Sequence, residues 1–555
     1  MLSVGSIASC PSEPAPGRGR AASLPKEHPS RSPCGRYLRK RSRIRRQVRG
    51  EDFCNGEHVS GYDSLLARLR WVRCCRWIWR APRAGDRCIS YPPPRSIALA
   101  SRLRESSARR GQLEQGRRAR CGASGSGEMR IAILGGGVAG LACAHYLAKA
   151  GHTPVVLEAS GWVGRLGAPI EHGGLRLDGE AHLLRNTDTA LCGLLGELGG
   201  LGRVSWRMTS SAVAVGDRHY PVSTARELIR CLGLNRVDRV RAALGFAYAT
   251  KLKRYALHLD TVPVSEWLAR IFGRHVYETC WRPLLESRFG EYVDEVPAYW
   301  AWRQLNGYQT GRREVFGHLR GGASWLAERL RRKIEKGGGE VRLHARATAV
   351  ETTGTHVGVE IHGSEERFDS AVFAQPPGDL AKIARPRLAR ELPNLDVPYQ
   401  GRVTALLVSR RSLGSQYRTT LVGRGLAFQT VIEATRVMSS ESLEGRHLIY
   451  LRGDCGPHTD TFNLPDDVLG KQAIDTIKCW FPAFDPAAIE GVYVTRDAHA
   501  EPITLLGQLS RRLPTRIPNT RVLLCNSAQA YPRRVGWDAD VTLARETAAA
   551  AAAVL

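Results

Sequence analysis

Residues 129–162 read MRIAILGGGVAGLACAHYLAKAGHTPVVLEASGW. RIAIL (130–134) is a short apolar run suited to a buried parallel strand. Gly135-Gly136-Gly137-Val138-Ala139-Gly140 follows and matches G-x-G-x-x-G. The next residues have helical spacing and stop at Gly151, a C-terminal cap. TPVVLE (153–158) reads as a second strand ending on Glu158. Gly135 permits the tight strand-to-helix turn, Gly137 lets a pyrophosphate approach the backbone, and Gly140 lets helix and strand pack closely. The helix start, at Val138 and Ala139, then offers free N–H groups and a positive dipole end to phosphates. Glu158 is placed to accept hydrogen bonds from ribose hydroxyls. Strand, glycine loop, helix, strand and acid together predict a dinucleotide-binding α/β domain of the doubly wound class.

The 555 residues have room for two to four domains and carry a net charge of +28. That charge is unevenly spread. Residues 1–128 hold 27 Lys+Arg and 10 Asp+Glu, a net +17; the rest hold 54 and 43, a net +11. Of the 27 basic residues in the first part, 25 are Arg. This part has no sustained helical or strand period and contains RYLRKRSRIRRQVR and WVRCCRWIWR. It is expected to be an extension in front of a true start at Met129. An organelle-targeting segment and a disordered basic arm are the alternatives. No function is attached to it, and nucleic acid is not an expected partner. No window approaches the ~18 uninterrupted apolar residues of a membrane span. The cysteines lack C-x-x-C pairs and zinc spacing, so no metal site is expected and a reducing cytoplasm is the expected compartment.

VGRLGAPIEHGGLRLDGEAHLL (163–184) resembles the segment after the second strand in the flavin amine oxidase superfamily. That group includes protoporphyrinogen oxidases, phytoene desaturases and UDP-galactopyranose mutases. Gly164-Arg165 sits at the family's turn, and Asp178 and His182 hold their places in D-x-G-x-H. Glu180 stands where the family has Gly. Residues 319–351 resemble the family's Gly-Gly turn, amphipathic helix and strand, which would bring the backbone at Ala347 to an adenine. FDSAVFAQPP (368–377) and RVLLCNSAQAYPRRVGWDADVTLARETAAAA (521–551) resemble the closing strands and last helix. Cys525-Asn526-Ser527 replaces the frequent Ala-Gly-Asp; Asn526 or Ser527 would supply the hydrogen bond but not the charge.

The resemblance implies FAD as cofactor, held by Gly135, Gly137, Val138, Ala139, Gly140, Glu158, Gly164, Arg165, Ala347, Asn526 and Ser527. The last helix is expected to begin near Asp540, an N-cap residue, with the N–H groups of Val541 and Thr542 at the flavin ring. The implied architecture is a doubly wound FAD-binding (Rossmann-like) domain with an inserted α+β substrate domain. The FAD domain would use 129–200, 319–390 and 516–555. The substrate domain would use 201–318, mostly helical, and a sheet in 391–515.

Residues 223–259 carry eight Lys+Arg against two acids. A solvated face over a core helix is the first reading and peripheral membrane contact the second. Trp281, Tyr292, Tyr299, Trp300 and Trp302 are candidates to face a substrate, though each is more often core. Where several amine oxidases place a lysine, this chain has Arg402 and Val403, which counts against amine oxidation by that arrangement. The expected function is an FAD-dependent oxidoreductase transferring hydride from a small-molecule substrate to flavin. The alternatives are a redox-neutral sugar-nucleotide mutase and an FAD-binding protein without turnover. No catalytic residue is assigned from sequence.

Overall fold

The computed structural model describes residues 127–553 apart from 165–168, 216–217, 232–233, 253–255, 307–313, 424 and 439. The expectations for 1–126 and for Arg165 lie outside the described residues. The described part falls within one compact unit, Ser124–Leu555.

Arg130–Leu134 forms the middle of a five-stranded parallel sheet. Across it the order is Glu340–Arg342, Thr153–Leu157, Arg130–Leu134, Ser370–Phe373 and Val522–Leu524. Side chains alternate between the two faces of a strand, and both faces are buried here. Ile131, Ile133, Val156 and Val372 meet Leu141, Leu147, Leu330 and Leu543 from the helices Val138–Lys149, Gly322–Lys336 and Trp537–Ala552. Ala132, Leu134, Val155 and Phe373 meet Val350, Val359 and Phe368 from the antiparallel strands Ala347–Thr352, Val357–Ile361 and Ser364–Phe368. This two-sided burial is why the central strands read as unbroken apolar runs.

A second, seven-stranded sheet is mixed. Its order is Ile489–Pro502, Tyr399–Ser409, His447–Cys455, Thr430–Glu433, Arg418–Val422, Ser211–Val215 and Arg218–Pro221. The helix Asp466–Trp480 covers one face through Leu469, Ala473 and Ile477. The region 201–318 supplies two strands of this sheet as well as helices, because Ser211–Val215 pairs in parallel with Arg418–Val422. The helices Arg236–Lys251, Val264–Phe272, Arg282–Phe289 and Ala298–Asn306 share a separate core built on Phe246, Trp267, Phe272 and Leu285.

Asp178 joins the two sheet systems. Its Oδ2 accepts from Ala323 N at 3.0 Å, capping the helix Gly322–Lys336. Its carbonyl accepts from Tyr450 Oη of the seven-stranded sheet at 3.0 Å. Gly322 has φ +58°, and a Cβ there would lie 1.8 Å from Asp178 Oδ2. The paired glycines at 321–322 therefore make room for a carboxylate cap.

The first loop holds a similarly tight approach to backbone, where a Cβ on Gly140 would lie 2.0 Å from Gly135 O. Backbone cannot yield as a flexible side chain does. Gly140→Ala is expected to cost about 3 kcal/mol or more, the upper end of the overpacking range. Chemical denaturation checks this; an unchanged midpoint would show that the loop can open without loss.

Candidate cofactor and active site

The glycine loop is pinned from both ends. Gly135, at φ +114°, donates its N–H to Leu157 O at 3.0 Å. Gly136 N donates to Glu158 Oε2 at 2.7 Å. Glu158 Oε1 accepts from Ser160 N at 2.8 Å and Ser160 Oγ at 2.9 Å. A carboxylate has about four acceptor positions, so capacity remains for ribose hydroxyls. Gly137 is the N-cap of the helix Val138–Lys149 and has no side chain to cap it. Leu141 N, bonded to Gly137 O at 2.9 Å, is the first N–H to find a helical carbonyl. Those of Val138, Ala139 and Gly140 have no intrahelical partner and form an anion cradle.

Two further segments close on the loop. Gly164, at φ +109°, donates its N–H to Gly136 O at 2.9 Å. A cavity of about 340 Å³ adjoins this turn, lined by Trp162, Gly164, Asp178, Ser324 and Arg331 among others. Ala345 N donates to Glu158 O at 2.8 Å, and Ala347 opens the next strand opposite Ile361. Gly135–Gly140, Glu158, Gly164 and the Ala347 segment are thus brought together.

At the sheet's far end, Cys525 N bonds Phe373 O at 2.9 Å, and Cys525 Sγ lies 4.0 Å from Ala139 O. The turn Ser527–Gln529 therefore sits against the start of the glycine-loop helix. Asn526 is buried and caps this turn, its Oδ1 accepting from Ala528 N at 3.2 Å. Its Nδ2 is buried without a partner. An orphaned buried donor costs about 1–3 kcal/mol, so it fits a missing acceptor such as a phosphate or ribityl oxygen.

The final helix departs from expectation. It runs Trp537–Ala552 with Gly536 as N-cap, not Asp540. Gly536 has φ +145°, a backbone conformation favouring glycine, and this sets the turn four residues earlier. Asp540 N already bonds Gly536 O at 3.0 Å. Val541 and Thr542 lie within the second turn, where their N–H groups belong to the helix's own ladder. Val541 is fully buried in the core, and Thr542 Oγ1 donates to Asp538 O at 2.8 Å. The N–H groups left for a ligand are those of Trp537, Asp538 and Ala539.

The ring of Trp537 stacks on His182, 4.7 Å between centroids and 14° between planes. His182 Nε2 is buried without a partner. Burial holds the imidazole below its ordinary pKa, against the pull of Glu180 and Asp178. Beside it lies an ionic cluster built on the buried Arg402, with Arg288 and Glu501 half-buried. Arg402 Nε bonds Asp454 Oδ1 at 2.9 Å, and Arg288 Nη2 bonds Glu501 Oε2 at 2.7 Å. Glu180 Oε2 and Glu501 Oε2 are each 3.9 Å from Arg402. Burial alone would raise the Asp454 carboxyl; Arg402, Arg288 and Arg452 outweigh it and hold it well below the usual range. Sequence reasoning missed this cluster. Its signal was a charge interrupting apolar strands on one face, Arg452 and Asp454 in LIYLRGDC.

The aromatic candidates mostly belong to the helical core. Trp281, Tyr292, Tyr299, Trp300 and Trp302 pack against its buried residues. Trp302 Nε1 donates to Ala249 O at 2.9 Å, and Trp300 meets Phe289 at 5.0 Å. Tyr299 also reaches Tyr531, edge-on at 5.5 Å. Among the described residues no group of three or more His, Cys, Asp or Glu could hold a metal, and no helix is long and apolar enough to cross a membrane.

Burial pushes His318 down to about 4. Its unfolded value is ~6.5, so between those values the unfolded chain binds more protons. Stability is then fully present above pH ~6.5 and falls as pH drops toward 4, by roughly 2–3 kcal/mol. His145 and His182, also lowered by burial, act in the same direction. His318→Phe should flatten part of this slope, read as urea midpoints at pH 7 and pH 4.5. Equal acid loss in both proteins would exclude His318.

Comparison with known proteins agrees with this geometry. The family described as flavin containing amine oxidoreductase matches residues 138–535, more than half of the chain. A 15-cis-phytoene desaturase of Synechococcus elongatus is 70% identical over 30 residues, 5% of this chain and 6% of that protein. The chloroplastic/chromoplastic enzyme of Capsicum annuum is 25% identical over 290 residues, 48% of this chain and 49% of that one. The chain thus covers half or less of these relatives' length. A putrescine oxidase solved with putrescine bound shares the fold at TM-score 0.59 and 17% identity, over 76% of this chain and 98% of its own. The family match, on a two-sided parallel sheet with this glycine loop, makes the chain a member of the flavin-containing amine oxidoreductase family of enzymes.

Proposed function

We propose that this protein is an FAD-dependent oxidoreductase that removes hydride from a small organic substrate. FAD, when bound, accepts the hydride. The orphaned Asn526 Nδ2, set against the glycine-loop helix, is the observation that carries the choice of FAD. A cofactor ending at the glycine loop would not need a donor on the return strand. Glu158 would take the ribose hydroxyls, the Val138–Gly140 N–H groups the pyrophosphate, and the Ala347 backbone the adenine. Asn526 would supply the hydrogen bond that the usual Asp gives relatives. The N–H groups of Trp537–Ala539 would face the flavin ring. In this reading the parallel sheet holds the cofactor, and the seven-stranded sheet with its helical layer holds the substrate. A reducing compartment fits the thiols of Cys143, Cys192, Cys455 and Cys525, which form no disulfide among the described residues.

The purified protein is expected to show a flavin absorbance spectrum and to release FAD on denaturation. Glu158→Lys should weaken FAD binding about ten- to a hundredfold, since a hydrogen bond to a charged group contributes ~1.5–3 kcal/mol. An unchanged dissociation constant would remove Glu158 from the site.

A membrane-surface role has its own support. The helix Arg236–Lys251 buries Ala242, Phe246 and Ala249 on one side. On the other it exposes Val237, Val240, Leu244 and Tyr248, between 51% and 75% accessible, among the exposed Arg236, Arg239 and Arg241. An outward apolar stripe flanked by arginines suits the boundary of an anionic bilayer. The protein is expected to sediment with vesicles containing phosphatidylserine and not with phosphatidylcholine alone. Val240→Glu with Leu244→Glu should abolish this; undiminished sedimentation would exclude the helix.

A further inference from the structure

Several arginines lie near the Trp537–His182 stack. Arg288 and Arg402 form ion pairs with Asp454 and Glu501, and Arg452 feels Asp454 and Glu180. Arg185 Nη1 pairs with Glu314 Oε1 at 2.8 Å. Two further guanidiniums lie close by. Arg303 lies on the helix Ala298–Asn306, and Arg534 lies three residues before Trp537. They reach past each other. Arg303 Nη1 donates to Pro532 O at 3.0 Å and Arg533 O at 2.6 Å, while Arg534 Nη1 donates to Gln304 Oε1 at 3.2 Å. These acceptors are neutral, and no described carboxylate forms an ion pair with either arginine. Arg303 Nε is buried without any partner.

Both residues are half-buried, and a partly desolvated charge without a close counter-ion is stabilised when a ligand supplies one. Burial depresses both groups, with Arg303 held below its ordinary value and Arg534 pushed down to about 9, the latter also by Arg185 and Arg303. A guanidinium stays protonated at neutral pH; Glu501 acts on both groups, and Glu314 on Arg534, only from beyond ion-pair distance. The FAD pyrophosphate does not supply one, because its cradle lies at Gly135–Gly140. We propose that Arg303 and Arg534 bind an anionic group, a carboxylate or a phosphate, on the substrate itself. Two neighbouring guanidiniums, held in place by neutral oxygens, suit such an oxyanion. This rests on the reading that the start of the final helix faces the flavin. It places the anion beside the ring and makes a purely cationic substrate, such as a simple amine, a poor one.

The test titrates the FAD-loaded protein by calorimetry with benzoate, phenyl phosphate and benzylamine, three aromatic probes differing in charged group. One of the two anions is expected to bind saturably and benzylamine not to bind. The preferred anion distinguishes carboxylate from phosphate. Arg534→Gln should weaken that anion about ten- to a hundredfold, and Arg534→Lys should restore part of it. Flavin absorbance and thermal midpoint, recorded for each variant, separate loss of the site from loss of cofactor or fold. Failure of both anions to bind overturns the proposal, as does anion affinity unaffected by Arg534→Gln. A shifted flavin reduction potential with unchanged anion affinity also overturns it, giving the pair to the cofactor. If the protein carries no flavin, the FAD reading fails by itself, and the same calorimetric titration still decides the anion site.

Discussion

The contact between Gly140 and the Gly135 carbonyl sets the geometry on which the rest depends. No side chain separates helix from strand there, so the helix Val138–Lys149 leaves the sheet at a fixed angle. Its unpaired N–H groups then point beyond the carboxyl end of the strands, where ligands of open α/β sheets bind. The bond from Gly136 N to Glu158 Oε2 fixes the neighbouring strand's end against the same loop. The N–H groups of Val138–Gly140 and the Glu158 carboxylate are therefore positioned by one backbone arrangement.

Asp178 carries that arrangement across to the second sheet. Its side chain caps one helix of the parallel-sheet layer while its carbonyl receives Tyr450 Oη. Four residues further along, His182 stacks on the first residue of the final helix. A single short segment thus joins the glycine-turn helix, the seven-stranded sheet and the last helix. Glu180, within this segment, faces Arg402 where a glycine would leave only space.

The fold was largely legible because its signals are local. Strand, glycine loop, helix and acid follow one another within residues 130–158, and each is set by backbone sterics or alternation. The final helix starts four residues before the expected cap because apolar spacing marks a helix's buried face, not its first turn. Asp540 looked like a cap, yet the turn is made by Gly536, whose positive φ leaves no trace in polarity. The ionic cluster was illegible for another reason. Arg288, Arg402, Asp454 and Glu501 come from four separated segments, and the strand pairings of residue 402 with residue 454 and of residue 400 with residue 501 bring three of them together.

The two groups of arginines show different physics. Arg402 is enclosed by carboxylates, and its fixed pairs do little for net stability, since desolvation offsets their attraction. Their effect is rigidity. Removing one partner would leave a bare charge, so the cluster holds a single arrangement of the strands Tyr399–Ser409, His447–Cys455 and Ile489–Pro502. Arg303 and Arg534 have only neutral oxygens as partners. They hold position through those oxygens while their charge stays unspent. A rigid, neutralised wall beside an unneutralised pair is the arrangement expected where one charged group must enter and be oriented without rearranging its surroundings.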